Sequence, residues 1–489
     1  MSAIGGLLLA LALAPLAAVL LCVAARKPRF VEAFNLAASA IAFGCSLPLP
    51  FLIDGRALTF WHDYVVIDRA SAWVMLCSAI VYLLASIYAV GYMRLLQEED
   101  RLWQFYALFA GFGFTTLVAP LMNSIGIYWI AIELTTLVST FLVAFERVAE
   151  SMEAAWKYIM LVSAGISLAL LGTVLFYWAG SFVLGPSYQM TWDVLAAAAP
   201  RMNPALTMLA FLLVLVGYGT KVGLAPMHSW LPDAHSESPA PVSAMLSGAL
   251  LNTAMIGIVR FLGITRAARL GDTPQLVLVA LGVLSLLIGA LFIVRQRGIK
   301  RLMAYSSVEH MGVVALGFGF GGTLGVAGAL YHMLNHSLNK SLMFFGAGNM
   351  MRAYGTKEIS EISGVGRRFP VQAGMWLAGA VAITGAPPFG LFLSEFTIMR
   401  AGLTPSYAWA VYAMALLLIV IFIGFLNQFR IMYAAAAPAE MPPPGKVSAW
   451  CAVPMGLALL PLLVLGLWWP AGLWTYLTSI AATLAPGSP

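Results

Sequence analysis

Apolar runs of about 20 residues, separated by short polar turns, follow one another from Ala3 to Ile480. A helix rises about 1.5 Å per residue, so each run is long enough to cross a hydrocarbon core ~30 Å thick. Fourteen spans are predicted, with cores at 4–25, 31–53, 70–93, 104–122, 124–145, 158–180, 205–227, 240–264, 274–295, 302–320, 323–349, 371–400, 406–433 and 448–480. Two of them are interrupted: the seventh at Gly223 and Pro226, the twelfth at Gly385, Pro387, Pro388 and Gly390. Such residues break a helix and free backbone groups that need new partners inside a bilayer. Two broken spans in matching places suggest inverted repeats, an arrangement found in secondary transporters. The expected fold class is an all-α polytopic membrane protein, a single transmembrane domain over residues 1–489.

Composition strengthens that picture. Hydrophobic residues make up 61% of the chain and charged residues 9%, outside the range of soluble domains. Ala3–Ala25 is long, lacks a basic start and is followed by Arg26, Lys27 and Arg29, so it is taken as a retained first helix. The net charge of +6 is mostly a topology signal. With the amino terminus outside, seventeen basic residues fall on the cytoplasmic side and seven outside, while Lys221 and Lys340 stay in the membrane. The asymmetry obeys the positive-inside rule and puts both termini outside a bacterial cytoplasmic membrane. These charges form no compact basic patch, which excludes nucleic-acid binding. Segments 54–68, with His62 in a surface role, and 181–202 are the longer outer connections, and 434–447 is a proline-stiffened cytoplasmic linker. Cys22, Cys45, Cys77 and Cys451 have no metal-binding spacing and read as small buried hydrophobes, so neither an iron–sulfur, haem nor zinc site is expected.

The chemistry lies in the ionisable residues left within the apolar runs: Glu133, Lys221, His228, Glu309, His310, His332, His336, Lys340 and Glu395. A charge at that depth is costly and is a functional-site hypothesis by default. The natural cation for Glu133 is Lys221, either as a proton switch governed by a mobile carboxylate or as a static pair locking two helices. In YHMLNHSLNK, the i, i+4 spacing puts His332, His336 and Lys340 along one helix stripe. Imidazoles exchange protons with water at both ring nitrogens, so the stripe suits a proton relay. Structural hydrogen bonding is the plainer alternative. A metal would need a nearby carboxylate or thiolate, and none is expected.

Four motifs carry a resemblance: GYGTKVGLAPMHSWLPDAHSESPAPVSAMLSG at 217–248, RLMAYSSVEHMG at 301–312, YHMLNHSLNKSLMFF at 331–345 and GAPPFGLFLSEF at 385–396. Together they resemble the antiporter-like subunits of complex I, of Mrp-type cation/proton antiporters and of membrane-bound hydrogenases, and are most similar to the hydrogenase-4 component F branch. The resemblance implies about 14 transmembrane helices with two inverted five-helix repeats, at 104–264 and 274–433, followed by a linker and last helix at 434–489. It implies a proton relay of Glu133, Lys221, His332, His336, Lys340 and Glu395; the reading of the buried residues adds His228 to it, with Glu309, His310 and Asn252 as possible members. Asn252 departs from the family pattern, since several complex I relatives place a lysine there. An amide cannot hold a travelling proton, so water or a histidine such as His228 would have to bridge that stretch.

The implied function is that of a proton-translocating subunit within a hydrogenase or NADH dehydrogenase-like oxidoreductase complex. Its partners would be other membrane subunits and a peripheral redox module. No cofactor is expected in this chain, and no catalytic redox residue. The alternative is an Mrp-type sodium/proton antiporter subunit.

Overall fold

The computed structural model describes residues 3–96, 99–434 and 448–484. The expected linker at 434–447 lies, from residue 435 onward, outside the described residues. Seven long helices open the chain: α1 (Ala3–Ala25), α2 (Pro28–Ser46), α3 (Arg69–Arg94), α4 (Leu102–Val118), α5 (Ile125–Val143), α6 (Ala149–Leu184) and α7 (Pro204–Val222). The first break leads into α8 (Trp230–Glu237) and α9 (Ala240–Ala267), then α10 (Thr273–Val294), α11 (Ile299–Phe320) and α12 (Gly322–Tyr354). The second break divides α13 (Pro370–Ile383) from α14 (Gly390–Gly402). There follow α15 (Ala408–Ala434), α16 (Ala449–Leu467) and α17 (Ala471–Leu484).

Each of the fourteen expected spans is occupied by helix. Among the described residues, eleven helices are long and apolar enough to cross a membrane. The expected spans at 302–320, 323–349 and 371–400 fall outside that number. In α11 and α12 buried charged and polar side chains lower the hydropathy, and the third is cut in two by its break. The fourteenth span also divides, into α16 and α17 on either side of Pro470.

The centre of the fold is α12, whose residues from Gly325 to Met350 are all buried. Its neighbours fasten to its backbone: Trp73 Nε1 donates to Leu330 O at 2.9 Å, Tyr88 OH to Phe345 O at 3.1 Å and Trp376 Nε1 to Met343 O at 3.2 Å. A polar helix can sit there because its own ladder satisfies the main chain and the surrounding helices keep lipid away from its side chains.

Elsewhere small residues set the spacing. The contact between α6 and α7 is the most extensive in the chain. Gly165 and Gly172, two turns apart on α6, face Thr220 and the Ala210–Val214 backbone of α7, and Gly217 faces Ala169 in return. A Cβ on Gly217 would lie 2.5 Å from both the Cβ and the backbone nitrogen of Ala169. Gly217→Val is therefore expected to force the pair apart and to destabilise the protein by about 1–3 kcal/mol or more, seen as a lower melting temperature of the detergent-purified chain.

The two ends of the bundle differ. One carries an ion-pair girdle: Arg94 with Glu32, Lys157 and Arg301 with Asp233, Arg352 with Glu146, and Lys357 with Glu237. At the other, a hairpin of β1 (Leu58–Phe60) and β2 (Val65–Ile67) packs beside Met122, and Asp68 pairs with Arg260. His62 is exposed at the tip of that hairpin.

Candidate functional site

The first cluster forms where α5, α6 and α7 meet. Lys221 is fully buried one residue before the end of α7. Gly223 closes that helix in the left-handed region at φ +78°, which glycine tolerates without a Cβ clash. The groups freed by the break find partners: Trp230 Nε1 donates to Thr220 O at 2.7 Å, and Ala225 N donates to Ser285 Oγ at 2.9 Å. Lys221 Nζ donates to Thr136 Oγ1 at 2.8 Å and to Tyr158 OH at 2.9 Å, and Tyr158 OH pairs with Ser139 Oγ at 2.7 Å.

Glu133 and Lys221, expected as a pair, are joined indirectly. Thr136 Oγ1 donates to Glu133 Oε2 at 3.3 Å while accepting from the lysine. Ser163 Oγ holds the other carboxylate oxygen at 2.6 Å. The reason is geometric: Thr136 follows Glu133 by three residues on α5, so it occupies the same face and reaches the lysine first. A hydroxyl that accepts from one group and donates to the other can pass a proton between them.

The second cluster surrounds α12. His332, His336 and Lys340 are all fully buried on the expected stripe. Lys340 Nζ donates to Met303 O at 3.1 Å and to Ser306 Oγ, both on α11. From the same helix, His310 Nδ1 lies 3.0 Å from His332 Nε2, and its ring centroid is 5.3 Å from that of His336. Glu309 is buried beside it, with Oε2 at 3.5 Å from His310 Nε2 and neither oxygen hydrogen-bonded. On α14, Ser394 Oγ lies 2.9 Å from His332 Nδ1, and Glu395 is buried with Oε1 unpartnered. Glu309 and His310 thus join His332, His336 and Lys340 in one cluster, with Glu395 at its edge.

Between the clusters the main chain itself turns polar. Leu246–Leu250 is a π-helical turn, whose wider ring leaves carbonyls accessible. His336 Nε2 lies 3.3 Å from Ser247 O, and Ser337 Oγ donates to Gly248 O at 2.6 Å. Asn252 sits one turn on, its amide donating to Ser337 Oγ at 2.9 Å and to Gly248 O at 3.1 Å.

His228 is half-buried near the first break, its ring 6.5 Å from that of Tyr305, and no hydrogen bond joins it to Asn252. The fully buried histidine of this stretch is His235, on α8. Its ring lies 5.9 Å from Trp230 and 5.9 Å from Phe344, and neither ring nitrogen has a partner. Trp230 in turn is 4.8 Å from Tyr158, the ligand of Lys221, and His235 is within Coulombic reach of Lys340, Lys300 and His336. The sequence does carry a signal for it: Trp230, Leu231, Ala234 and His235 fall on one face of a helix, with Asp233 and Glu237 on the other. Lys300 is likewise buried, donating to Ser238 O at the floor of a recess of about 720 Å³ lined also by Glu237, Lys357 and Glu358.

With this geometry in place, comparison with known proteins is decisive for the family. The family described as NADH:quinone oxidoreductase/Mrp antiporter, transmembrane, matches residues 122–424. The chain belongs to that family. It is a multi-pass, antiporter-like membrane subunit. It is 41% identical over 303 residues to a hydrogenase-4 component F homolog of Methylacidiphilum infernorum, a match covering 62% of this chain and 64% of that protein's length. In fold it is similar to a subunit of the membrane-bound sulfane sulfur reductase, an archaeal respiratory membrane complex, with a TM-score of 0.88 at 22% identity over 97% of each chain. It is equally similar to a chain of the Mrp complex from Dietzia, with a TM-score of 0.88 at 20% identity over 99% of this chain and 98% of the other. These neighbours are subunits of multi-subunit membrane assemblies.

Proposed function

We propose that this chain translocates protons across a bacterial cytoplasmic membrane as one subunit of a hydrogenase-like or complex I-like redox assembly. The observation that carries this reading is the succession of titratable side chains from the half-buried Glu133 and the buried Lys221, through His235, to Lys340, His336, His310, His332, Glu309 and Glu395, all buried. They bridge two clusters through groups that both accept and donate protons. Protons enter from the cytoplasmic end through the recess above Lys300, or beside the break near His228, and reach Lys340 by way of His235 and ordered water. They leave near Glu395. The basic girdle end faces the cytoplasm and both termini face outward, in keeping with the charge asymmetry. Electrons are handled by a peripheral module outside this chain.

The driving event is local. Moving Glu133 or turning Thr136 changes the field at Lys221 without breaking a direct ion pair, and hydroxyl ligands accommodate either protonation state of the amine. Thr136→Val keeps the shape and removes the bridge. Losing a hydrogen bond to a charged group costs ~1.5–3 kcal/mol, which corresponds to roughly 10–100-fold in rate. Acidification of inverted vesicles carrying the assembled complex is expected to fall by that factor, with Thr136→Ser close to wild type. Equal rates in Thr136→Val and wild type would remove the bridge from the mechanism. A strict requirement for sodium would instead favour sodium/proton exchange, a reading the nitrogen-rich site disfavours because sodium seeks a cage of oxygens.

A further inference from the structure

His310, His332 and Glu395 come from three different helices, α11, α12 and α14, and each offers one ligand atom within 4.8 Å of the others. Among the described residues this is the one group of three or more His, Cys, Asp or Glu so arranged. Two histidines and a carboxylate form the donor set of three-coordinate zinc sites that keep a fourth position open. For Zn–N bonds of about 2.0–2.1 Å, ligand nitrogens in a tetrahedron stand roughly 3.3 Å apart. His310 Nδ1 and His332 Nε2 stand 3.0 Å apart, close to that value before any adjustment.

The surroundings point the same way. His332 Nδ1 is held by Ser394 Oγ at 2.9 Å, which leaves its Nε2 for the shared centre. His310 Nε2 makes no hydrogen bond and lies 3.5 Å from Glu309 Oε2, while its Nδ1 is turned toward His332 and that same centre. Metal-ligating histidines are oriented by partners on the second nitrogen, as Ser394 orients His332. Glu395 Oε1 is buried without a hydrogen-bond partner, which leaves a carboxylate oxygen able to serve as the third donor. Sequence spacing alone could not anticipate this, because Glu395 lies far along the chain from the histidine stripe and is brought to it only by the fold.

We propose that His310, His332 and Glu395 bind one divalent transition-metal ion of the zinc class, and that the bound ion blocks proton transfer. Imidazole nitrogens and a carboxylate select zinc over sodium, calcium or magnesium, which prefer oxygen. The ion occupies the two histidine nitrogens that now face each other. No proton can pass between those rings while it is there. Lys340, within Coulombic reach of both histidines, repels a second cation, so a proton on the lysine and a metal in the site oppose one another. On this proposal zinc acts on the chain as an inhibitor.

The test uses the full chain, purified in detergent, freed of metal by chelator and titrated with Co²⁺ as a coloured substitute for Zn²⁺. The expected result is one equivalent of Co²⁺ with visible absorption bands of a low-coordinate nitrogen and oxygen site, discharged by Zn²⁺. Binding is lost in His332→Ala and in Glu395→Gln but kept in Glu133→Gln. Ser394→Ala, which removes only the hydrogen bond to His332, weakens it roughly tenfold or more and guards against misfolding of the ligand variants. Absence of saturable Co²⁺ binding by the wild type, binding that survives both ligand substitutions, or an unchanged affinity in Ser394→Ala overturns the proposal. The spectrum does not depend on transport, so this result stands apart from that of the relay.

Discussion

Lys340→Met is expected to bring proton translocation by the assembled complex close to background while leaving the complex intact. The lysine is the one amine inside the second cluster, in Coulombic reach of Glu309, His310, His332, His336 and His235. Every proposed path from the first cluster to Glu395 passes it. Methionine matches the length of the aliphatic stem but carries no proton. The substitution leaves Met303 O and Ser306 Oγ without their donor, a loss of about 1–3 kcal/mol that a large helical bundle can absorb. A positioned acid or base contributes ~10²–10⁴-fold to a proton-transfer step, so the drop should be a hundredfold or more. The check is dye quenching in inverted vesicles, with electron transfer measured in the same preparation. An unchanged ratio of protons moved to electrons transferred would take Lys340 out of the path.

How much of this was legible in the chain depends on the element. The apolar runs place α1 to α7 directly, because a lipid-spanning helix must be continuously apolar and the turns between runs are short. The breaks at Gly223 and at Gly385–Pro388 are equally plain. What local pattern hides is depth. Residues 228–239 are polar enough to pass for a loop, yet they contain α8, which turns Trp230 and His235 inward and Asp233 and Glu237 outward. Lys300 counts as a cytoplasmic basic residue by position and proves to be buried under its own recess. Contacts between helices are hidden in the same way. Nothing in the spacing of Glu133 and Lys221 shows that Thr136 stands between them, or that Glu395 approaches the histidine pair of α11 and α12. Such pairings arise from how helices cross, and a single sequence records only what each helix presents on its faces.

His235→Leu should separate a proton-carrying role from a structural one, because the two predict opposite signs. The imidazole sits between Trp230 and Phe344 with both nitrogens buried and unpartnered. A polar group in that state is a liability worth ~1–3 kcal/mol, and leucine of similar volume removes it. Stability is therefore expected to hold or rise, read as an unchanged or higher melting temperature. Translocation is expected to fall by roughly a hundredfold, since the Trp230 indole takes up no proton at neutral pH and Asn252 holds no transferable proton. His235→Gln sharpens the comparison: its amide can hydrogen-bond water but cannot take up a proton on one side and release another from the opposite side, as imidazole does. Loss of transport in both variants, with the fold at least as stable, places the proton on His235. Transport that survives in the glutamine variant assigns the residue to holding water, and transport that survives in leucine removes it from the route altogether.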